Sequence, residues 1–214
     1  MQFDKLKSFV LDKLGKEIPK NLTYHNVQHT KDVLQNAGNI AGFEEVSGDA
    51  LTILLTATLL HDTGFLETYK EHELLSCDFA REHLPNFGYT ESQINQVCDL
   101  IMTTKIPQGA TDKLGQILCD ADLLYLGTDQ YKKKSQLLYK ELRNLKLINT
   151  YDEWVQYQVN FIEKHTYYTK LATGAYAHKK MQNLSLLQAQ ARDEKKRKHI
   201  HFDMDLIQDL VFIV

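Results

Sequence analysis

The sequence predicts an all-α protein, folded as a single-domain helical bundle. The chain has 214 residues, the length of one domain, and only 10 glycines and 3 prolines, which is few for a fold with many turns. Apolar residues recur at intervals of three and four along almost the whole chain, the period of an amphipathic helix. No stretch alternates with a period of two for long enough to predict a strand. We therefore expect one domain over residues 1–190.

The helices are predicted in chain order from their apolar faces and their end signals. The first covers residues 3–14 and ends near Gly15, and the second covers residues 26–40 and is entered through Asn26. The third, residues 48–61, is apolar nearly all round, which indicates a helix in the middle of the bundle. Asp49 is expected to cap it, because its side chain can accept an amide of the first turn. The remaining helices are predicted over residues 71–84, 90–104, 112–126, 128–147, 151–166 and 169–190.

Composition and charge exclude several classes of protein. With 43% hydrophobic and 25% charged residues the chain is not a disordered protein. A formal charge of −3 excludes a globally basic protein, so no nucleic-acid partner is expected. The N-terminus has no signal-peptide core, and no apolar run reaches the roughly 18 residues of a membrane span. A cytoplasmic setting is the expectation. Cys77, Cys98 and Cys119, each among apolar residues, are then reduced core thiols.

The last part of the chain, residues 191–214, differs from the rest. A charge run at 192–199 is expected to be a solvated helix end or linker, and it precedes an apolar stretch at 206–214 that is too short to cross a bilayer. Two interpretations stay open: a docking segment that packs back on the bundle, or a junction with a further region. Any membrane contact is expected only through this end.

Metal-capable side chains are concentrated in otherwise apolar segments. If residues 25–33 are helical, His25 and His29 lie one turn apart on the same face. His61 and Asp62 follow the buried third helix, where an unpaired charge and an imidazole would cost several kcal/mol. A cation is the simplest compensation for them.

A third such segment carries two carboxylates, Asp120 and Asp122, within an apolar helix. Residues at i and i+2 of a helix point to different faces, so at most one of the two need bind a metal. Together the segments supply two imidazoles and two carboxylates, a mixed nitrogen and oxygen shell suited to Mn²⁺, Fe²⁺, Co²⁺, Ni²⁺, Mg²⁺ or Zn²⁺. Four protein ligands around a six-coordinate ion leave positions for water and substrate, which indicates a catalytic site.

Over residues 20–190 the sequence resembles the HD-domain metal-dependent phosphohydrolases, whose pattern is a histidine, a later His-Asp pair and a distant aspartate. The resemblance implies a helical bundle of the HD-domain and phosphodiesterase type, with His29, His61, Asp62 and Asp122 as metal ligands. Asp120 is expected to lie near the ligands, behind Asp122, which is the better match to the ligand position. The segment around Tyr24 is also similar to the YHNxxHxxDV pattern of cyclic-nucleotide phosphodiesterases.

In the phosphodiesterase branch the first histidine of that pattern is the general acid and the second is a metal ligand, which assigns these roles to His25 and His29. Asp62 is expected to orient the attacking water. The chain departs from the relatives after the His-Asp pair, where it reads HDTGFLE. Phosphodiesterases have a further histidine there and (p)ppGpp hydrolases an acidic pair. His72 is the nearby histidine that could serve a second ion.

The resemblance implies hydrolysis of a phosphomonoester or phosphodiester, with a small-molecule phosphate ester, in particular a nucleotide, as substrate. A divalent metal ion would activate the attacking water. Lys105 and His72 are candidate substrate-binding residues, although Lys105 could equally be a plain surface lysine. His165 fits either a polar pocket or a helix–helix joint, and Tyr125 either a base-stacking position or the core.

Two other functions stay open. A nucleotide-sensing module could retain the metal site without catalysis. A di-iron oxygenase on an HD scaffold would need more ligands than the sequence offers. The metal identity, the number of ions and the oligomeric state, including a homo-oligomer, are left undecided.

Overall fold

The computed structural model describes residues 1–193, and these form helices and their connections without a β-strand. The predicted all-α bundle is confirmed. The principal helices are α1 (Phe3–Glu17), α2 (Val27–Phe43), α3 (Gly48–Leu60), α4 (His72–His83), α5 (Glu91–Met102), α6 (Lys113–Leu123), α7 (Tyr131–Asn144), α8 (Tyr151–Lys164), α9 (Lys170–Ala175) and α10, which covers residues 177–193. Short 3-10 turns occupy Thr63–Leu66, Leu84–Phe87 and Leu124–Gly127. The expectations for residues 194–214, including membrane contact, lie outside the described residues.

Helix α3 lies at the centre of the first half of the bundle, as its apolar composition predicted. It packs against α1, α2, α4, α5 and α6, and Leu54, Ala57 and Leu60 are fully buried. Each buried leucine stabilises the fold by about 1.5–3 kcal/mol. The predicted cap was wrong: the helix begins after Ser47 and no side chain caps it, while Asp49 lies in the first turn. The carboxylate still faces the positive end of the helix there.

The helix predicted over residues 169–190 is interrupted. Helix α9 ends at Ala175, and Tyr176, a turn residue with φ −115°, separates it from α10. The break coincides with a close approach to Gly127, where an added Cβ would lie 2.4 Å from the carbonyl oxygen of Tyr176. The interruption therefore lies at a contact with a distant segment, which the hydrophobic pattern of residues 169–190 alone cannot predict. The first helix is also longer than predicted, since it continues past Gly15 to Glu17.

Two clusters of buried side chains form the core. The larger joins α1 to α6. The smaller joins the end of α6 and the following turn with α7, α8 and α10. All three cysteines are buried and free, as expected. Within residues 1–193 no helix has both the length and the apolar character needed to span a membrane.

Candidate metal centre

The His-Asp pair lies in a tight turn after α3 that α4 holds in place. His61 ends the helix, Asp62 follows, and the Oγ of Ser76 both donates to the carbonyl of His61 (2.7 Å) and accepts from the N–H of Gly64 (2.8 Å). A Cβ at Gly64 would lie 1.9 Å from the carbonyl oxygen of His72. Only glycine allows this approach, which explains the glycine of the HDTG sequence.

His29 and Asp122 come from neighbouring helices tied to each other. The side chain of Asn26 caps α2 and accepts from the N–H of His29 (3.3 Å), which fixes the first turn that carries the imidazole. Two helical turns beyond His29, the Asn36 side chain donates to the carbonyl of Ala121 on α6 (3.1 Å), next to Asp122. The two ligand-bearing helices are therefore fixed to each other close to the site.

The predicted ligand residues converge in the interior. The Nε2 atom of His29 lies 3.2 Å from an oxygen of Asp62 and 3.2 Å from an oxygen of Asp122. The Nε2 atom of His61 lies 3.3 Å and 3.7 Å from the same two carboxylates. One ligand atom each from His29, His61 and Asp122 lies within 4.8 Å of the others. His29 and His61 are buried.

The nitrogen and oxygen atoms of this cluster present lone pairs that fit a cation. The Nδ1 atom of His61 bonds the carbonyl of Thr58 at 2.8 Å. A carbonyl can only accept, so Nδ1 carries the hydrogen and Nε2 presents its lone pair to the carboxylates. Within residues 1–193, Nε2 of His29, Nε2 of His61 and Oδ2 of Asp62 are buried without a hydrogen-bond partner. Buried acceptors that face one another are unfavourable unless a proton or metal ion lies between them.

The electrostatics of the cluster agree with this requirement for positive charge. Burial disfavours an imidazolium at His29, but the carboxylates of Asp122 and Asp62 outweigh it and raise its pKa to about 9. The same carboxylates raise the pKa of His61 against the effect of burial. Burial also opposes ionisation of Asp62 and Asp122, yet the histidines lower the pKa of each carboxyl.

His25 lies before α2 rather than on it, so the predicted helical spacing of His25 and His29 was wrong. Asn26 adopts an extended conformation as the cap, which directs the preceding residue away from the helix axis. The two imidazole rings nevertheless lie 5.5 Å apart. The Nδ1 atom of His25 bonds Oε1 of Glu141 on α7, and Oε2 of Glu141 accepts from the N–H groups of Tyr24 (2.8 Å) and His25 (3.0 Å).

His72, the first residue of α4, also faces the site. Its Nε2 atom lies 3.6 Å from Oδ1 of Asp62. The imidazole stacks on the ring of Phe65, with centroids 3.9 Å apart and planes inclined by 13°. Burial lowers the pKa of His72, which favours the neutral ring.

A cavity of about 200 Å³ opens onto the cluster. Its lining joins the metal-site side chains on one side to apolar and aromatic side chains on the other. The lining residues are Tyr24, His25, His61, Asp62, Phe65, Tyr69, His72, Glu73, Thr104, Ile106, Asp122, Leu123, Tyr125, Leu126, Leu138, Leu142, Trp154, Tyr157, Gln158, Phe161 and Ile162. Lys105 has an exposed side chain and does not line the cavity.

Comparison with known proteins identifies the fold. The chain is similar to a solved structure from an uncultured Thermotogales bacterium, described as a predicted HD superfamily hydrolase. The sequences are 21% identical, the TM-score is 0.51, and the match covers 75% of this chain and 91% of the other. The chain therefore shares the fold of that structure. No protein-family model and no curated protein matches it. The expected resemblance is thus confirmed as a likeness of fold.

Two further predicted residues, Asp120 and His165, lie outside the cluster of His29, His61 and Asp122. Asp120 is fully buried on the other face of α6, where its carboxylate accepts from the N–H groups of Tyr168 (3.0 Å) and Thr169 (2.7 Å). It therefore holds the connection between α8 and α9. His165 lies at a joint between helices, beside the amine of Lys180 (3.3 Å) and the ring of Tyr167.

Glu141, which contacts His25 beside the cluster, was not predicted from the sequence. It is fully buried, although α7 is rich in exposed lysines. The available signal was its position three residues after Leu138, on a face that also carries Tyr131 and Ser135. The bonds from His25 and from two backbone N–H groups lower the pKa of Glu141 against the effect of burial, so the carboxylate is ionised.

Proposed function

We propose that the chain is a divalent-metal-dependent phosphohydrolase that acts on a phosphomonoester or a phosphodiester, in particular a nucleotide. The observation that carries this proposal is a set of buried nitrogen and oxygen atoms that could ligate a metal and have no hydrogen-bond partner in the described residues. They belong to His29, His61 and Asp62, and Asp122 lies beside them. This set of two imidazoles and two carboxylates suits Mn²⁺, Fe²⁺, Co²⁺, Ni²⁺, Mg²⁺ or Zn²⁺. The HD-superfamily fold supports the same reaction class.

His29, His61, Asp62 and Asp122 would hold the ion. When bound, a divalent ion lowers the pKa of water toward neutrality and polarises a phosphoryl oxygen. Oδ2 of Asp62 faces the imidazoles, and Oδ1 lies toward His72 on the cavity side. That second oxygen can accept a hydrogen from the attacking water and so orient it.

His25 is proposed as the general acid. Because Glu141 accepts the hydrogen of Nδ1, Nε2 is the ring nitrogen that can give a proton to a ligand in the cavity. The proton would pass to the oxygen of the leaving group as the bond to phosphorus breaks. The carboxylate of Glu141 accepts from Nδ1 and so fixes the orientation of the ring. Glu141 is thus a positioning residue.

The direct test removes the ligands. His61→Ala and Asp62→Ala are each expected to lose bound metal and metal-dependent phosphatase activity, measured by elemental analysis and by phosphate release from nucleotides with Mn²⁺, Mg²⁺, Ni²⁺ and Co²⁺ in turn. His178→Ala, at an exposed histidine on α10, is the matched control and should keep both. Full metal content in the double variant His61→Ala, Asp62→Ala would refute the site. Tight nucleotide binding by the parent chain without turnover would favour the sensing module.

A further inference from the structure

In the described part of the chain, the cavity beside the metal cluster is lined by carboxylates but by no permanently cationic side chain. Among residues 1–193, no lysine or arginine contributes to its lining, whereas the carboxylates of Asp62, Glu73 and Asp122 do. Lys164 lines a neighbouring cavity that shares Ile106 as part of its wall. Among the described residues, the positive charge available to an anion in this cavity is therefore that of the metal ion alone.

This charge distribution limits how many phosphates a ligand can bring. One phosphate can meet the ion, with His25 beside it in the lining. A second or third phosphate would lie among acidic and apolar side chains, without a counter-charge and close to Glu73. Desolvated like charges disfavour such binding strongly.

The opposite wall is built for a flat apolar group. Trp154, Tyr157 and Phe161 form a row along α8, with ring centroids 5.7 Å and 6.3 Å apart and planes inclined by only 17° and 8°. All three line the cavity. The side chain of Tyr157 is 52% exposed, so a face of the row is open to a ligand.

Trp154 also carries an unused hydrogen-bond donor. The residue is 2% exposed, and its indole N–H has no partner within the described part of the chain. Buried tryptophan N–H groups normally find an acceptor, because an unpaired donor costs free energy. A ligand in the cavity that carries an acceptor on a planar ring would supply one.

We propose that the substrate is an ester of a single phosphate group with a ring-bearing alcohol, whose planar ring carries a hydrogen-bond acceptor and packs along the Trp154–Tyr157–Phe161 row. Substrates with two or more linked phosphates are discriminated against. This inference rests on the proposed function, because it places the phosphate at the metal cluster.

Trp154 is the only tryptophan of the chain, so its fluorescence reports binding without any need for turnover. The full chain loaded with Mn²⁺ is titrated with AMP, ADP and ATP, excited at a wavelength where adenine does not absorb and read by stopped flow before hydrolysis. AMP is expected to quench the fluorescence with an affinity at least about tenfold higher than that of ATP, with ADP between them. The values of kcat/KM should follow the same order.

A gain of charge tests the electrostatic argument directly. Ile106 is 50% exposed on the cavity rim, so Ile106→Lys adds a cation there without burying it. The ratio of ATP to AMP affinity should rise about tenfold. Leu74→Lys adds the same charge at a residue that is 46% exposed and does not line the cavity, and it should leave the ratio unchanged.

The ring contact is tested by Tyr157→Ala, with AMP compared with ribose 5-phosphate, which has no planar ring. The KM for AMP is expected to rise about tenfold, because stacking of a base on an aromatic side chain is of this size, while the KM for ribose 5-phosphate changes far less. Tyr151→Ala, on the same helix but outside the cavity, is the matched control.

The outcomes separate this inference from the proposed function. Equal affinity for AMP and ATP, or no quenching by either, would overturn the single-phosphate inference even if phosphate esters are hydrolysed. Preferential binding of AMP without metal-dependent hydrolysis of any ester would instead support the inference on the ligand and refute the hydrolase.

Discussion

Replacing Glu141 by glutamine is expected to separate proton donation from metal binding. Glu141 touches none of the four proposed ligands, but it accepts hydrogens from Nδ1 of His25 and from the N–H groups of Tyr24 and His25. Glu141→Gln keeps one acceptor oxygen for the backbone N–H groups. The new amide nitrogen would then place its N–H against the N–H at Nδ1 of His25. Two donors cannot bond each other, so the imidazole hydrogen moves to Nε2 or the ring is displaced.

Two magnitudes follow from these contacts. A buried charge-assisted hydrogen bond contributes about 1.5–3 kcal/mol, so a loss of about 2 kcal/mol is expected. For a chain of this size that corresponds to a fall in Tm of about 4–8 °C. General-acid catalysis contributes at least about 10²-fold, so kcat for esters with a poor leaving group, such as AMP, should fall by about that factor.

The assay compares two leaving groups. The p-nitrophenolate group of p-nitrophenyl phosphate can leave without receiving a proton, so kcat for this ester should change less than about threefold in the Glu141 variant. The metal content of the variant should equal that of the parent chain. Glu82→Gln, at an exposed glutamate of α4, is the control for charge removal. An equal loss of kcat on both esters, together with a loss of metal, would show that Glu141 maintains the fold of the site, and the proton-donor role of His25 would be refuted.

Three further predictions concern stability, measured by thermal unfolding. Gly64→Ala should lower Tm strongly, because the added Cβ would lie 1.9 Å from the carbonyl oxygen of His72. Gly109→Ala, where a Cβ meets open space, should leave Tm unchanged. Equal Tm values for the two variants would contradict the close approach of His72 to Gly64. With metal removed by a chelator, Tm should fall as the pH rises from 6.5 to about 9. The pKa of His29 is raised in the folded state, so the stability that its proton contributes is lost through that interval. A Tm that rises over this range would contradict the prediction. Adding Mn²⁺ at 100 times its Kd should stabilise the chain by about 2.7 kcal/mol, and an unchanged Tm would argue against a site in the folded state.

The sequence predicted those parts of the site that local chemistry decides. His61 and Asp62 were recognisable because polar metal-capable groups follow an all-apolar helix, and Asp122 because it interrupts another. Asn26 also gave the correct helix start, but the conditional placement of His25 and His29 on one helix face ignored what that cap requires: an extended residue at the boundary.

The parts that were missed depend on contacts between distant segments. Glu141 looked like one more solvated charge of α7, because only its approach to Tyr24 and His25, more than a hundred residues earlier, buries it. The break at Tyr176 likewise coincides with a close approach to Gly127. Hydrophobic periodicity carries no information on either contact.

The arrangement of the two core clusters separates chemistry from recognition. The proposed ligands lie on α2, α6 and the turn after α3, which belong to the larger cluster. The aromatic row lies on α8, whose Val155, Phe161 and Ile162 pack in the smaller one. Substitutions in α8 can therefore reshape the wall that meets the organic part of a substrate while the donor atoms stay where α2 and α6 hold them. Such variants should change KM and substrate preference at constant metal content. A variant of Tyr157 that lost its metal would show instead that the two clusters are coupled through the cavity.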